Sequence, residues 1–283
     1  MDRTPHQRVA LPSATGLITV CGLALAACLS QPTPTPNVIY ITATPAMTPS
    51  PTLPEAAALD AGRSPCEHLL WPLRDGASWA YEMVAPQGIT ELTLTSSVGE
   101  VGATLAIDGQ ERSLICGEDL LAGLPPLPVG HPGLGREIVG QNPVGSYLPA
   151  PALLLPLGQP ATWDQESDAA GTISLPFPGG ENASIVGGKI VLIQQAEELA
   201  TVNVPAGEFL SLPIRQDVLF DLQVQLPGGT AESVLISAAA RHYYAEGVGL
   251  VRANYDGGTV STQGGAWPLE AGLELRLVRA DIP

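Results

Sequence analysis

The chain has 283 residues, of which 45% are hydrophobic, and a formal net charge of −16 at pH 7. Because acidic side chains repel phosphate, this balance excludes a nucleic-acid-binding protein and one that adsorbs electrostatically to anionic lipid. The 31 glycines and 28 prolines, without long amphipathic helical patterns, indicate a turn-rich chain with little helix.

Residues 1–27 have the layout of a secretory signal. Arg3 and Arg8 precede an uncharged, mostly apolar stretch that ends Leu-Ala-Ala before Cys28. This ending resembles a bacterial lipobox, which implies that Cys28 becomes the acylated first residue of the mature protein and attaches it to the membrane. An uncleaved single-pass anchor is the alternative, because the stretch is only just long enough to span a bilayer. Both interpretations predict a membrane-attached protein on the extracytoplasmic face or cell surface.

Residues 28–62 are predicted to form a stalk. The part from Leu29 to Pro54 has no charged residue and alternates prolines with threonines. This composition favours extended polyproline II structure and cannot build a packed core. At about 3.1 Å per residue such a tether reaches on the order of 80 Å, enough to lift a domain clear of a membrane surface.

Cys66 and Cys116 are the cysteines that remain after the signal and the anchor, and in an exported domain they predict one disulfide. Its loop of about 50 residues corresponds to roughly 4 kcal/mol of stabilisation in the chain-entropy model. Metal binding by two isolated cysteines without nearby histidines is a poor alternative.

Residues 63–283 are predicted to form an all-β exported domain. Apolar side chains alternate with polar ones, which is typical of antiparallel strands with one dry and one wet face. The dry positions include Ala103, Leu105, Ile107, Val218, Phe220, Leu222, Val224, Leu273, Leu275 and Leu277. Turn signals at Asp108-Gly109, Pro227-Gly228-Gly229 and Asp256-Gly257-Gly258 separate the predicted strands.

A faint internal repeat relates Pro72–Trp79 to Pro156–Trp163 at a spacing of 84 residues. Each copy leads into a predicted strand, so two similar meanders, in halves 66–150 and 151–283, are one interpretation. A single domain is the other. Between the halves, Leu124–Pro160 is rich in Pro and Gly and is predicted to wrap the sheet edges as a long connection.

The sequence has no nucleophile elbow, P-loop, dinucleotide fingerprint or zinc-ligand spacing. Outside the signal, His68, His131 and His242 lie far apart and are interpreted as surface or packed histidines rather than members of a triad. We therefore expect no cofactor, no catalytic residue and no enzymatic activity.

Asp164, Glu166 and Asp168 are the best metal candidates, because alternating carboxylates resemble the start of a calcium loop. However, Ala169 stands where that loop needs glycine and Leu175 where it needs a bidentate acid. A solvated acidic turn is the preferred interpretation.

The aromatic side chains Trp79, Tyr81, Trp163, Tyr243 and Tyr244 allow two interpretations. They could line a groove for a hydrophobic ligand, or they could be the large residues that a glycine-rich sheet needs to fill its core.

Three blocks resemble a broad family of exported bacterial proteins of unknown function. They are Pro-Leu-x-x-Gly-x-x-Trp-x-Tyr ending at Tyr81, Val-Pro-Ala-Gly-Glu-Phe ending at Phe209, and Tyr-Tyr-Ala-Glu-Gly-Val-Gly-Leu-Val-Arg over residues 243–252. The fold of that family is similar to the half-barrels of the lipoprotein carriers LolA and LolB. The resemblance implies a curved antiparallel sheet, either a half-barrel or β-sandwich-like, and transfers no catalytic residue.

The sequence thus predicts a lipid-anchored, extracytoplasmic, non-catalytic lipoprotein. The leading hypothesis is a binding or structural module whose curved sheet holds a hydrophobic ligand such as a lipid. A structural or partner-docking envelope protein without a ligand is the first alternative, and a hydrolase with an unrecognised active site is the second.

Overall fold

The period-two alternation of the sequence becomes strand structure over most of the described chain. The computed structural model describes residues 66–100, 102–117, 120–127, 131–134 and 137–283. The predicted signal 1–27, the predicted lipidation site Cys28 and the predicted stalk 28–62 all lie in residues 1–65, outside the described residues. The described residues belong to one compact unit.

The described residues contain fourteen strands, one short helix and one 3₁₀ turn. The helix α1 is Pro151–Leu154 and the 3₁₀ turn is Pro132–Leu134. The strands are β1 Ser78–Ala85, β2 Gly88–Val98, β3 Gly102–Ile107, β4 Gln110–Gly117, β5 Leu120–Ala122, β6 Ile138–Gly145, β7 Ala161–Ile173, β8 Ala183–Ala196, β9 Ala200–Val204, β10 Gly207–Gln225, β11 Ala231–Ala245, β12 Gly249–Thr262, β13 Gly265–Leu269 and β14 Leu273–Asp281.

All these strands join one antiparallel sheet. Its order is β5-β4-β3-β2-β1-β14-β12-β11-β10-β8-β7-β6, with β13 paired to β12 and β9 paired to β10. The two ends of the sheet meet, because Leu121 of β5 forms an isolated antiparallel bridge with Leu148, just after β6. The prediction of a curved, all-β antiparallel sheet with little helix is therefore confirmed. The sheet is nearly closed, and the two predicted halves share it.

Strand β10 shows why the sequence folds this way. Val218, Phe220, Leu222 and Val224 are buried, while the residues between them point outward and stay partly or fully exposed. The inward side chains of the other strands continue the same layer into one hydrophobic core. Burial of one face of every long strand supplies the driving force that curves the sheet around that core.

Two of the predicted turns are confirmed and the third is wrong. Asp108 and Gly109 form the two-residue β3–β4 hairpin, both with positive φ (48° and 78°), as a type I′ turn requires. Residues 227–229 separate β10 from β11. Residues 256–258 instead lie inside β12, where Ala239 faces Gly257 and Ala240 faces Tyr255. Asp256 is the extra residue of a β-bulge, and beyond it β12 leaves β14 and pairs with β13.

The long connection does more than wrap the sheet edges. It forms the edge strand β6 and helix α1, but it also sends apolar side chains into the core. The buried ones are Leu124, Leu127, Leu134, Tyr147, Leu148 and Leu154. Pro and Gly content marked the connection as irregular, whereas the burial of its leucines depended on closure of the sheet around them.

The predicted disulfide between Cys66 and Cys116 is present, with an S–S distance of 2.02 Å. It ties the segment before β1 to β4. No helix in the described ranges has the length and apolar content needed to cross a membrane.

Candidate functional site

The structure distributes the five predicted ligand-groove aromatics over the core instead of along an open groove. Trp79, Tyr81 and Tyr244 are almost fully buried, and Trp163 is 8% exposed. Tyr243 points outward, where the Arg252 guanidinium lies 5.8 Å from the centre of its ring. Four of the five therefore pack inside the sheet.

Trp79 and Tyr81 hold the hairpin between β11 and β12. The Trp79 indole N–H donates to the carbonyl of Val248 at 2.7 Å, and the Tyr81 hydroxyl donates to the carbonyl of Leu250 at 3.0 Å. At Gly249, a Cβ atom would lie 3.2 Å from the Trp79 indole nitrogen, so the close approach favours glycine. The first and third sequence blocks thus meet in space and serve packing and hydrogen bonding.

Tyr147 fills the interior next to this hairpin. It follows β6, and its ring packs 6.4 Å from Trp71, which in turn lies 6.1 Å from Tyr244. The Tyr147 hydroxyl is 3.0 Å from the Tyr244 hydroxyl and 3.4 Å from Nδ1 of His242. The connection after β6 therefore occupies space that an open half-barrel would leave for a ligand.

Glutamines join this connection to the sheet. Gln216 donates to Gln194 Oε1 at 2.8 Å, and Gln194 donates to the carbonyl of Ser146 at 3.3 Å. Gln165 accepts from the N–H of Gly123 at 2.9 Å through its Oε1 atom. All three glutamine side chains are buried. Nothing in the local sequence marks them as functional, although each has the inward parity of its strand: Gln165 that of Trp163, and Gln216 that of Val218.

His242 is enclosed by this interior. Burial lowers the pKa of its imidazole to about 3, so the ring is neutral at ordinary pH. Its Nε2 atom, Oε1 of Gln216 and Oγ of Ser167 have no hydrogen-bond partner among the described residues. Asp164, one of the scattered acids that a hydrolase could use, points outward from β7. The two side chains lie on opposite faces of the sheet, so they do not form a catalytic pair.

The other two histidines bind backbone. In His68, Nδ1 accepts the N–H of Leu70 at 3.1 Å, and Nε2 lies 2.8 Å from the carbonyl of Pro149. His131 Nε2 lies 2.6 Å from the carbonyl of Glu270. Each fixes a loop to a distant segment, so their geometry agrees with packed histidines.

The acidic triplet Asp164, Glu166 and Asp168 lies on strand β7, where a turn was predicted. Alternate residues of a strand share a face, so period-two spacing places all three outward. Lys189 Nζ lies 2.8 Å from Glu166 and 2.9 Å from Asp168. The hydrogen bond from the Asn142 amide, and then Lys189, hold the pKa of Asp168 below its usual value. Across the described residues, no group of three or more His, Cys, Asp or Glu is arranged to hold a metal ion.

The outer face of β8, β10 and β11 carries large apolar side chains where the alternation calls for polar ones. Ile193 is 51% exposed, Leu219 40% and Leu235 47%. An apolar depression of about 320 Å³ lies beside Leu219, over the small residues Ser237, Ala239, Gly257 and Gly258. An adjoining depression of about 290 Å³ runs from Asp221 and Leu235 to Ser261 and Gln263. We call the two together the β11 trough.

Comparison with known proteins gives weak likenesses. No family model matches the chain, and no curated protein matches it. A crystal structure of a protein described as exported, with a YmcC-like fold, from Bacteroides fragilis covers 76% of this chain and 100% of its own at 14% identity, with a TM-score of 0.39. A protein described as a lipoprotein from Parabacteroides distasonis covers 76% and 99% at 9% identity, with a TM-score of 0.34. Neither likeness defines what this chain does.

Proposed function

We propose that this chain is a lipid-anchored, extracytoplasmic protein whose β domain docks a protein partner and performs no catalysis. The lipobox-like residues before Cys28 and the uncharged stalk support the attachment and the location. The Cys66–Cys116 disulfide fits an oxidising compartment outside the cytoplasm.

Side chains of the protein itself fill the interior of the sheet, and this favours docking over ligand transport. A carrier of hydrophobic ligands needs free apolar volume inside its sheet. Here Tyr147 and Trp71 are fully buried in that space, and the buried pair Gln216 and Gln194, on neighbouring strands, is hydrogen-bonded to the inserted connection at the Ser146 carbonyl. A hydrophobic ligand would have to displace these side chains and leave their polar groups unpaired, which costs about 1–3 kcal/mol for each group. The exposed apolar surface of the β11 trough lies on the outer face instead.

Intact and native mass spectrometry of the full chain tests this proposal. The chain would be produced with its own signal in a bacterium that processes lipoproteins, then extracted from membranes in detergent. We expect a chain that begins at Cys28 and carries acyl groups, with no further bound mass under native conditions.

A Cys28→Ser variant is the matched control and should lose both the acyl mass and the membrane fractionation. An additional stoichiometric lipid that survives native conditions would contradict the docking role. A Cys28→Ser variant that remains membrane-bound would favour the single-pass anchor.

A further inference from the structure

The β11 trough has the length and shape for an extended chain. Its floor is the outward face of β11, where Ser233, Ser237 and Ala239 are small and only Leu235 is large. From residue 233 to residue 239 the floor is about 20 Å long, at about 3.3 Å per residue. The far wall on β12 is low where the bulge places Gly257, which has no side chain, opposite Ala239 on the outward face.

The wall on β10 presents acid, apolar and acid side chains in turn. Asp217, Leu219 and Asp221 share the outward face and oppose Ala239, Ser237 and Leu235, respectively. Leu219 is 40% exposed and contributes to the apolar depression.

The two carboxylates of this wall have different neighbours. Asp217 is bonded to Arg215 at 3.0 Å. Lys189 opposes Asp221 across the β8–β10 register but lies within 3 Å of two carboxylates of β7 instead. The carboxylate of Asp221 is therefore the one more available to a cation from outside.

We propose that the β11 trough binds an extended segment of a basic partner protein, in which a central apolar side chain is flanked at alternate positions by Lys or Arg. The central side chain contacts Leu219 and the small floor residues, and the cations lie beside Asp217 and Asp221. This inference rests on the proposed docking function and adds the surface and the chemistry of the partner.

The negative charge of this face favours a basic partner over a second copy of the chain. A self-complementary dimer through this face would bring the carboxylates of β7 and β10 against their own copies, in a protein of net charge −16. Like charges brought together at an interface disfavour the wrong partner, whereas opposite charges steer association. The exposed apolar surface still favours coverage by a partner.

The experiment uses the full chain in detergent and the fluorescently labelled peptide acetyl-Ser-Lys-Ser-Leu-Ser-Lys-Ser-amide, with binding followed by anisotropy. A permuted peptide of the same composition, acetyl-Ser-Ser-Lys-Leu-Lys-Ser-Ser-amide, places both cations next to the leucine and therefore out of register. We expect saturable binding with a Kd of about 1 mM or tighter. Binding of the permuted peptide, and binding at high salt, should each be weaker by about fivefold or more.

Leu219→Ser and Asp221→Asn test the surface, and Ile89→Ser is the control, because Ile89 is 60% exposed on the outer face of β2. Leu219→Ser should weaken binding by about tenfold, and Asp221→Asn by about threefold, while Ile89→Ser leaves it unchanged. Absence of saturable binding at about 1 mM, equal binding of both peptides, or unchanged binding by Leu219→Ser overturns the proposal.

A concentration-dependent dimer that Leu219→Ser abolishes would also overturn the proposal, in favour of a second copy. Each of these failures leaves the mass-spectrometric result for the proposed function intact, since that result reports on the anchor and on bound ligand.

Discussion

Burial of His242 predicts that this protein loses stability in mild acid. The pKa of its imidazole falls from the ordinary value of 6.5 to about 3 because the enclosed site disfavours the imidazolium form. The aromatic rings of Tyr244 and Tyr255 lie 6.3 Å and 6.1 Å from the imidazole and supply no countercharge.

In the unfolded chain His242 is protonated as the pH falls through about 6.5, whereas in the folded protein it is protonated only near pH 3. The stabilisation is therefore fully present above pH 6.5 and is lost as the pH falls towards 3. The limiting effect of this shift is about 5 kcal/mol, and about 2.5 kcal/mol of it is lost between pH 6 and pH 4.

Urea unfolding at several pH values between about 4 and 7 measures this loss. The wild-type protein should lose about 2.5 kcal/mol more than a His242→Gln variant over the two units from pH 6 to pH 4. Tyr147→Phe is the control: it removes the hydroxyl near His242 Nδ1 and should lower the free energy of unfolding at all pH values by about 1–2 kcal/mol. Its pH dependence should follow the wild type, because burial and not this contact lowers the pKa. Parallel wild-type and His242→Gln curves would refute the reasoning.

Three further changes test the packing. Replacing both Cys66 and Cys116 by Ser should reduce the free energy of unfolding by about 4 kcal/mol in guanidinium titrations, and a loss below about 1 kcal/mol would contradict the loop-closure estimate. Gly258→Ala should destabilise by more than about 2 kcal/mol by thermal unfolding, whereas Gly187→Ala, whose Cβ would meet nothing within 4 Å, should stay within about 0.5 kcal/mol. Trp79→Phe should cost about 1–3 kcal/mol because the partly buried Val248 carbonyl loses its donor, and an unchanged urea midpoint would argue against that bond.

Parts of the site were predictable and parts were not. The parity that places Val218 inside also places Leu219 outside, so an apolar residue on the wet face of β10 was a readable signal for the outer trough. Trp79 and Tyr81 had the correct inward parity, but whether they line a groove or fill a core depended on Tyr147, which is distant in sequence. The alternating carboxylates Asp164, Glu166 and Asp168 resemble a loop and predict an acidic turn, but pairing of β7 with both β6 and β8 makes this segment a strand.

The sequence alone determined the antiparallel alternation, the Asp108-Gly109 hairpin and the cysteine pair, because each of these follows from local backbone preference or from chain chemistry. Only the tertiary structure decided that the sheet ends meet at Leu121 and Leu148, that Tyr147 enters the interior, and that residues 256–258 form a bulge. Those outcomes depend on strand order and on which segments share the enclosed volume. Such contacts join residues far apart in the chain, and no local pattern encodes them.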